Sequence, residues 1–284
     1  MANTFVSIKE IARMALPRLI ENLVFPNLIH RDFSNDFQPG KGATIQVRKP
    51  VVLTANNFTG TVTPQDVTEG TVDVTLNKLA TVDVAFGAIE RAVSVDDLNR
   101  LFIEPAAVAL AEKINTDGLA LLKTSGIPSK AADAASLEAF SLASAALSKA
   151  KVPSVPRNAV WSPDAEAAFR TVPAIVNAEK SGTTEALRNG SIGKIFGIDN
   201  YMAQGVDSAT MLGAAFAPTA FAFVTRPLVA PAGVEAYTTN YNGISLRVTK
   251  GYDMTTKTEM LSMDVLYGYT VLDKNRAVVV TAKA

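Results

Sequence analysis

The chain has no cysteine and one histidine in 284 residues. The first absence removes disulfide frameworks, thiolate zinc sites and cysteine nucleophiles together, and it suits a reducing cytoplasm. The second forces any Ser-His-Asp arrangement, imidazole metal site or histidine acid–base step through His30 alone. A surplus of charge is missing too. The 27 Lys+Arg match 27 Asp+Glu, and no stretch of the chain is a charged arm. A dedicated nucleic-acid reader or anionic-membrane binder needs a basic excess, so composition argues against both. The longest nearly apolar run, Met211 to Val224, is too short for a membrane span and is interrupted by Pro218 and Thr219. No membrane partner is expected. The opening Met1-Ala2-Asn3-Thr4 carries no basic patch leading into an apolar stretch, so no signal peptide is expected either.

What is present is core-forming material: 48% of the residues are apolar, enough for two modules or one elaborate one without metal or disulfide staples. Ile8, Ile11, Ala12, Ala15, Leu16, Leu19, Ile20 and Leu23 recur at helical spacing, which predicts an amphipathic helix over 7–23. Ser7 and Glu10 form a capping box at its start, and Pro17 predicts a kink within it. Residues 25–40 read as extended arm or loop. The apolar face of this helix must dock either on its own body or on a neighbouring subunit.

Residues 43–54 and 71–86 alternate and are rich in β-branched side chains, so both read as strands of one long arm around a polar connection, Asn56 to Gly70. Two strands have no second layer to bury against, so such a hairpin is marginal alone. Lys41, Arg48 and Lys49 stand on its first strand, while Asp66, Glu69, Asp73 and Asp83 follow in the connection and second strand. That separation favours docking onto a complementary surface, although a solvated face is an equally simple reading. Ser94 to Asp97 resembles a helix start. Pro105 suits the first turn of a longer helix running to about 124, roughly 30 Å at 1.5 Å per residue. From 129 to 235 helices and short strands alternate: a helix from Ser136 to Lys151, a buried strand at Asn158–Trp161, and a helix started by Ser162-Pro163-Asp164. Strands return after 236, with a hairpin signal at Asn242-Gly243 and runs at 260–272 and 277–281.

A search for chemistry finds little. His30 sits beside the arm in Ile29-His30-Arg31-Asp32, and Asp96-Asp97 is accounted for by helix-start electrostatics. Gly193-Lys194 has the look of a phosphate loop, but Arg188 stands where its first glycine belongs and Ile195 where its magnesium-binding hydroxyl belongs. Catalytic, metal and cofactor-binding residues are therefore expected to be none.

Two blocks carry a family resemblance. The stretch Ile11-Ala12-Arg13-Met14-Ala15-Leu16 through Asn22-Leu23-Val24-Phe25, then Arg31-Asp32-Phe33 and Gly42 to Arg48, resembles the start of tailed-bacteriophage major capsid (coat) proteins. Glu185 to Asp199 is similar to a segment common in those proteins. The resemblance covers most of the chain in order. It implies an α+β, Hong Kong 97-like capsid fold. The N-terminal arm would be 1–40, the extended hairpin loop 41–90, the peripheral domain with its long spine helix 91–132 and 236–284, and the axial domain 133–235. It also implies a shell subunit forming hexamers and pentamers of an icosahedral head around double-stranded DNA. The implied partners are further copies of the chain, a portal protein, scaffolding and decoration proteins, and non-specific contact with the packaged DNA. The implied place is the virion, assembled in the host cytoplasm. Without a charged helical extension before the body, a cleaved N-terminal scaffolding domain is not expected, nor is a large insertion within 133–235. With no lysine between Thr54 and Asn77, a lysine–asparagine weld from the hairpin tip is not expected.

On this reading Lys41, Arg48, Lys49, Asp66, Glu69, Asp73, Ile11 and Leu19 are the expected inter-subunit contacts. Two alternatives stand beside it. One is the shell protein of a cellular nanocompartment with the same fold. The other is an enzyme with an unrecognised site, for which Trp161, Arg188 and His30 are the residues to assay.

Overall fold

The computed structural model describes residues 8–31, 44–48, 53, 55, 57, 60, 70–86, 103–134, 136–176, 192–241, 243–255 and 258–283. Their helices are α1 (Ile8–Asn22), α2 (Phe25–Leu28), α3 (Glu104–Leu119), α4 (Glu138–Lys149), α5 (Pro163–Phe169) and α6 (Pro173–Val176). Their strands are β1 (Thr44–Arg48), β2 (Thr71–Thr75), β3 (Lys78–Phe86), β4 (Ser129–Ala132), β5 (Asn158–Trp161), β6 (Lys194–Ile195), β7 (Ile198–Met202), β8 (Gly213–Phe216), β9 (Phe221–Arg226), β10 (Glu235–Tyr241), β11 (Ile244–Asp253), β12 (Thr258–Val271) and β13 (Ala277–Ala282).

One sheet has the order β4-β13-β8-β5-β7-β6. Its central strands read NAVW, GAAF and AVVV with no polar alternation and are buried throughout, as strands covered on both faces must be. Ala159, Trp161, Ala215, Val278 and Val280 face one core with Phe140, Ala143 and Leu147 of α4 and Phe169 of α5. Val160, Ala214, Phe216, Ala277 and Val279 face a second, larger core. The sheet is therefore a shared wall between two hydrophobic interiors. Ser162 caps α5 as its sequence predicts, accepting from the Ala165 N–H at 3.2 Å.

The second sheet runs β10-β11-β12-β3, with β9 also paired to β12. Leu246, Val248, Met263, Val265 and Tyr267 point into the larger core, where they meet the apolar stripes of α1 and α3. The 16-residue α3 continues into a single 3₁₀ turn, Ala120–Lys123, so the long helix is present with its last turn tightened. Its predicted forerunner at Ser94 to Asp97 lies outside the described residues, as does Ser7 of the capping box. Helix α1 runs on through Pro17, whose ring is on the exposed side. The carbonyl that loses its intrahelical donor there can therefore be served by water.

The structure departs from the sequence reading in three places. Phe25–Leu28, expected within an extended arm or loop, is the short helix α2. The run 71–86 is not one hairpin strand: β2 pairs with β1, and after Leu76 and Asn77 the chain enters the second sheet as β3, alongside β12. The apolar residues on both sides of this break are satisfied by different partners, which alternation alone does not reveal. The strands after 220 also trade sheets. β9 lies in the sheet of β10–β12, whereas β13 leaves that sheet and pairs with β4 and β8. A division at 236 therefore does not follow the sheets.

Candidate functional site

The element best placed to act outside its own body is the β1–β2 hairpin. Its register, Thr44↔Thr75 to Arg48↔Thr71, puts Gln46 opposite Asp73 and Ile45 opposite Val74. Directly opposed residues share a face, so Thr44, Gln46, Arg48, Thr71 and Asp73 form one exposed polar side. Ile45, Val47 and Val74 turn the other way and pack with Leu76, Val224, Leu266 and Leu272 in a small third cluster. Because of that cluster the hairpin base rests on a second layer, as a two-stranded ribbon requires.

The base is also held by polar contacts. Thr270 donates its hydroxyl to the Asp73 carbonyl at 3.3 Å. Below it, Gly268 of β12 lets the Thr75 carbonyl approach closely: a β-carbon there would lie 1.9 Å from that oxygen. Beyond the break, Lys78 reaches Asp117 of α3 at 3.2 Å. The same carboxylate accepts from the Tyr267 hydroxyl at 2.7 Å and from Lys113 at 3.1 Å. Burial would raise the Asp117 pKa, but hydrogen bonds from Tyr267, Lys113 and Lys78 outweigh it and hold the carboxyl below its ordinary 3.8. Burial, reinforced by Asp117, pushes the Tyr267 phenol far above its usual range. Buried Tyr269 is pushed up likewise, first by burial, and donates to the Ile114 carbonyl at 2.9 Å.

The expected contact residues are distributed unevenly over this geometry. Arg48 and Asp73 are exposed on the polar side of the hairpin as diagonal neighbours, Arg48 lying opposite Thr71 and Asp73 opposite Gln46. Lys41, Lys49, Asp66 and Glu69 lie outside the described residues. Leu19 is a correction: it is fully buried in the chain's own larger core, and Ile11 packs against the same core. Helix α1 has docked on its own body. Asn115 of α3 fixes the corner that follows, accepting from the Val24 and Phe25 N–H groups at 3.1 and 3.2 Å and donating to the Asn22 carbonyl at 2.9 Å. Phe25 then fills the notch at Gly118, where a β-carbon would come within 2.6 Å of its ring. The strap ends on the first sheet and its neighbour: Asn158 donates to the Leu28 carbonyl at 2.9 Å, and His30 bridges to Ala222.

The fold has counterparts among solved structures. A structure from Mycobacterium phage Che8 superposes with a TM-score of 0.71 at 22% identity, over 91% of this chain and 90% of that one. The capsid structure of the cyanophage P-SCSP1u superposes at 0.63 with 14% identity, over 92% and 88%. The fold is that of phage capsid chains. The Hong Kong 97-like architecture implied by the two sequence blocks is thus the architecture found. The same capsid fold also matches the crystal structure of a virus-like particle from Pyrococcus furiosus, at a TM-score of 0.57 and 12% identity, over 96% and 98%. No protein-family model and no curated protein matches the chain.

Within this capsid fold the residues singled out for an enzyme have structural settings. Trp161 is fully buried against Phe140 and Phe169, with its indole N–H donated to Asn200 at 2.9 Å. The backbone of His30 is built into the fold: its N–H donates to the Pro218 and Phe221 carbonyls and its carbonyl accepts from the Phe223 N–H. Arg188 lies outside the described residues. Among the described residues no group of three or more His, Asp or Glu is gathered as a metal site. Sequence reasoning missed Arg157, which is 3% exposed and surrounded by acceptors: the carbonyls of Pro153, Val152 and Ser144 and the Ser148 hydroxyl, at 2.7 to 3.2 Å. A buried arginine without a carboxylate has no sequence signature. It ties the end of α4 to the loop before β5.

Proposed function

We propose that this chain is the major capsid protein of a tailed phage, self-assembling into the hexamers and pentamers of an icosahedral head that encloses double-stranded DNA. The observation that carries the reading is the likeness to phage structures over nine-tenths of the chain, the capsid of P-SCSP1u among them. The exposed polar side of the hairpin supports it, because an element with a buried base and an open face suits contact with a second copy. On this reading 1–40 is the arm, 41–90 the hairpin loop with β3 joined to the peripheral sheet, 91–132 with 236–284 the peripheral domain and 133–235 the axial domain, with β9 exchanged for β4 and β13 between the last two. The α3 helix is the spine. Partners are other copies, a portal protein, scaffolding and decoration proteins and the packaged DNA, and the protein belongs to the virion. Catalysis has no part in this role.

Negative-stain microscopy of the purified full-length chain, across ionic strength and with a crowding agent, tests the reading. Closed shells are expected. A monodisperse monomer under every condition overturns it. A second reading, a nanocompartment shell, is favoured by the virus-like particle of Pyrococcus furiosus. Particles from the native source decide between the two: a packaged genome supports the phage head, and a co-purifying enzyme cargo the compartment.

A further inference from the structure

We propose that Asp117, with Lys78 and Tyr267, is a positioning cluster that fixes the direction in which the β1–β2 hairpin leaves the body. The hairpin ends at Thr75 and β3 begins at Lys78, so Leu76 and Asn77 are the whole pivot between arm and sheet. Upstream of the pivot the chain is pinned by Gly268 and by the Thr270 hydroxyl on the Asp73 carbonyl. Downstream, β3 lies at the end of its sheet among the described residues, with β12 as its strand neighbour. Its first residue is therefore the one most able to fray, and Lys78 is tied to α3 at that residue.

The chemistry of Asp117 shows why it is there. It lies in the last turn of α3, where the helix dipole disfavours an acid. Its side chain is 16% exposed, a setting that costs a carboxylate unless donors compensate. Three donors do: Lys113 from its own helix, Lys78 from the start of β3 and Tyr267 from β12. Lys113 serves the helix alone, whereas the other two lock three elements at one point. An arm set in its docking direction beforehand loses less freedom on contact. That consequence for assembly rests on the shell-subunit reading; the cluster itself does not.

Because the chain has no cysteine, two engineered ones can be labelled cleanly. Spin labels at Gln46→Cys on the hairpin and Glu112→Cys on α3, both exposed, report the hairpin direction as a distance distribution. In the otherwise native full-length chain a narrow distribution is expected. Lys78→Met and Tyr267→Phe should broaden it at least twofold, and Lys78→Arg should keep it narrow. Unchanged width in both loss variants overturns the cluster, as does equal broadening by Lys78→Arg. Shell yield, scored in parallel without labels, should fall at least tenfold for Lys78→Met. Broadening with undiminished yield overturns the link to assembly. Absence of shells from the unaltered chain counts against the shell reading, while the distance data still decide the cluster.

Discussion

Gly268 and Thr75 are in such close contact that any side chain at the glycine would occupy the space of the threonine carbonyl: the β-carbon would be 1.9 Å from the oxygen, with Leu76 Cα at 3.2 Å. Both obstacles are backbone and cannot rotate away. Gly268→Ala should therefore cost about 3 kcal/mol or more in urea denaturation, the upper range for overpacking. A loss under 1 kcal/mol would show that β12 and the hairpin base slide apart freely.

The strap gives a second expectation. Phe25 is fully buried and meets Phe216 and Phe221 at ring-centre distances of 5.5 and 5.8 Å. Phe25→Ala should destabilise by roughly 3–5 kcal/mol through the cavity it opens. Asn115→Ala should cost about 1–3 kcal/mol, because it orphans the Val24 and Phe25 N–H groups together. Equilibrium unfolding of each variant checks both, and a double variant should be less than additive because the two residues hold one corner.

Arg157 predicts a failed conservative exchange. A lysine has one compact ammonium where the guanidinium serves three carbonyls and a hydroxyl in a plane. Arg157→Lys should lose about 2 kcal/mol and Arg157→Leu about 3 kcal/mol or more, measured by denaturant midpoint. Recovery of full stability in the lysine variant would show that charge, not geometry, is what the site needs.

Asp117 makes stability depend on acid. Its folded-state pKa is below the ordinary 3.8, so its contribution is present above that value and is lost as pH falls through the lower folded one. The stability gap between the natural chain and Asp117→Asn should be constant from pH 5 to 7 and shrink below pH 3.8, followed by urea midpoints at stepped pH. A gap that narrows instead on raising pH above 5 would reverse the sign.

Two truncations separate body from arm. Arg48 pairs directly with Thr71, so residues 49–70 can be replaced by an Asn-Gly turn without disturbing the register. That variant should keep its melting temperature and lose shell formation in micrographs. Deleting residues 1–24 removes Ala12, Ala15, Leu16, Leu19 and Leu23 from the larger core and should leave an insoluble or molten chain. A folded, monomeric product would mean that α1 is dispensable to the body.

Much of the fold was legible where one residue type decides local geometry. Ser162-Pro163 fixed a helix start, the β-branched run at 277–281 a strand, and Pro105 the first turn of α3. The hairpin strands β1 and β2 were also legible, because alternation has one physical reading over five residues. What could not be read was the partner of each pattern. The stripe of α1 fits any apolar surface, and Leu19 does not disclose whether that surface is its own chain or another. Residues 71–86 keep apolar side chains at even positions on both sides of Asn77-Lys78, where the chain changes sheets, so the pattern does not name the partner of either half. Asp117 and Tyr267 stand 150 residues apart in the chain, and the acceptors around Arg157, though within 13 residues of it, follow no sequence pattern.

The sequence by itself determined the α+β class, the order of most of its elements, the want of a charge surplus and the lack of any cysteine or second histidine, since each of these is a property of composition or of short-range periodicity. Only the tertiary structure decided that the N-terminal helix closes its own core, that two interiors share one sheet, and that the arm is clamped at Gly268 and Asp117. Those outcomes depend on contacts between residues far apart in the chain, whose free energy exists only once the backbone has brought them within reach.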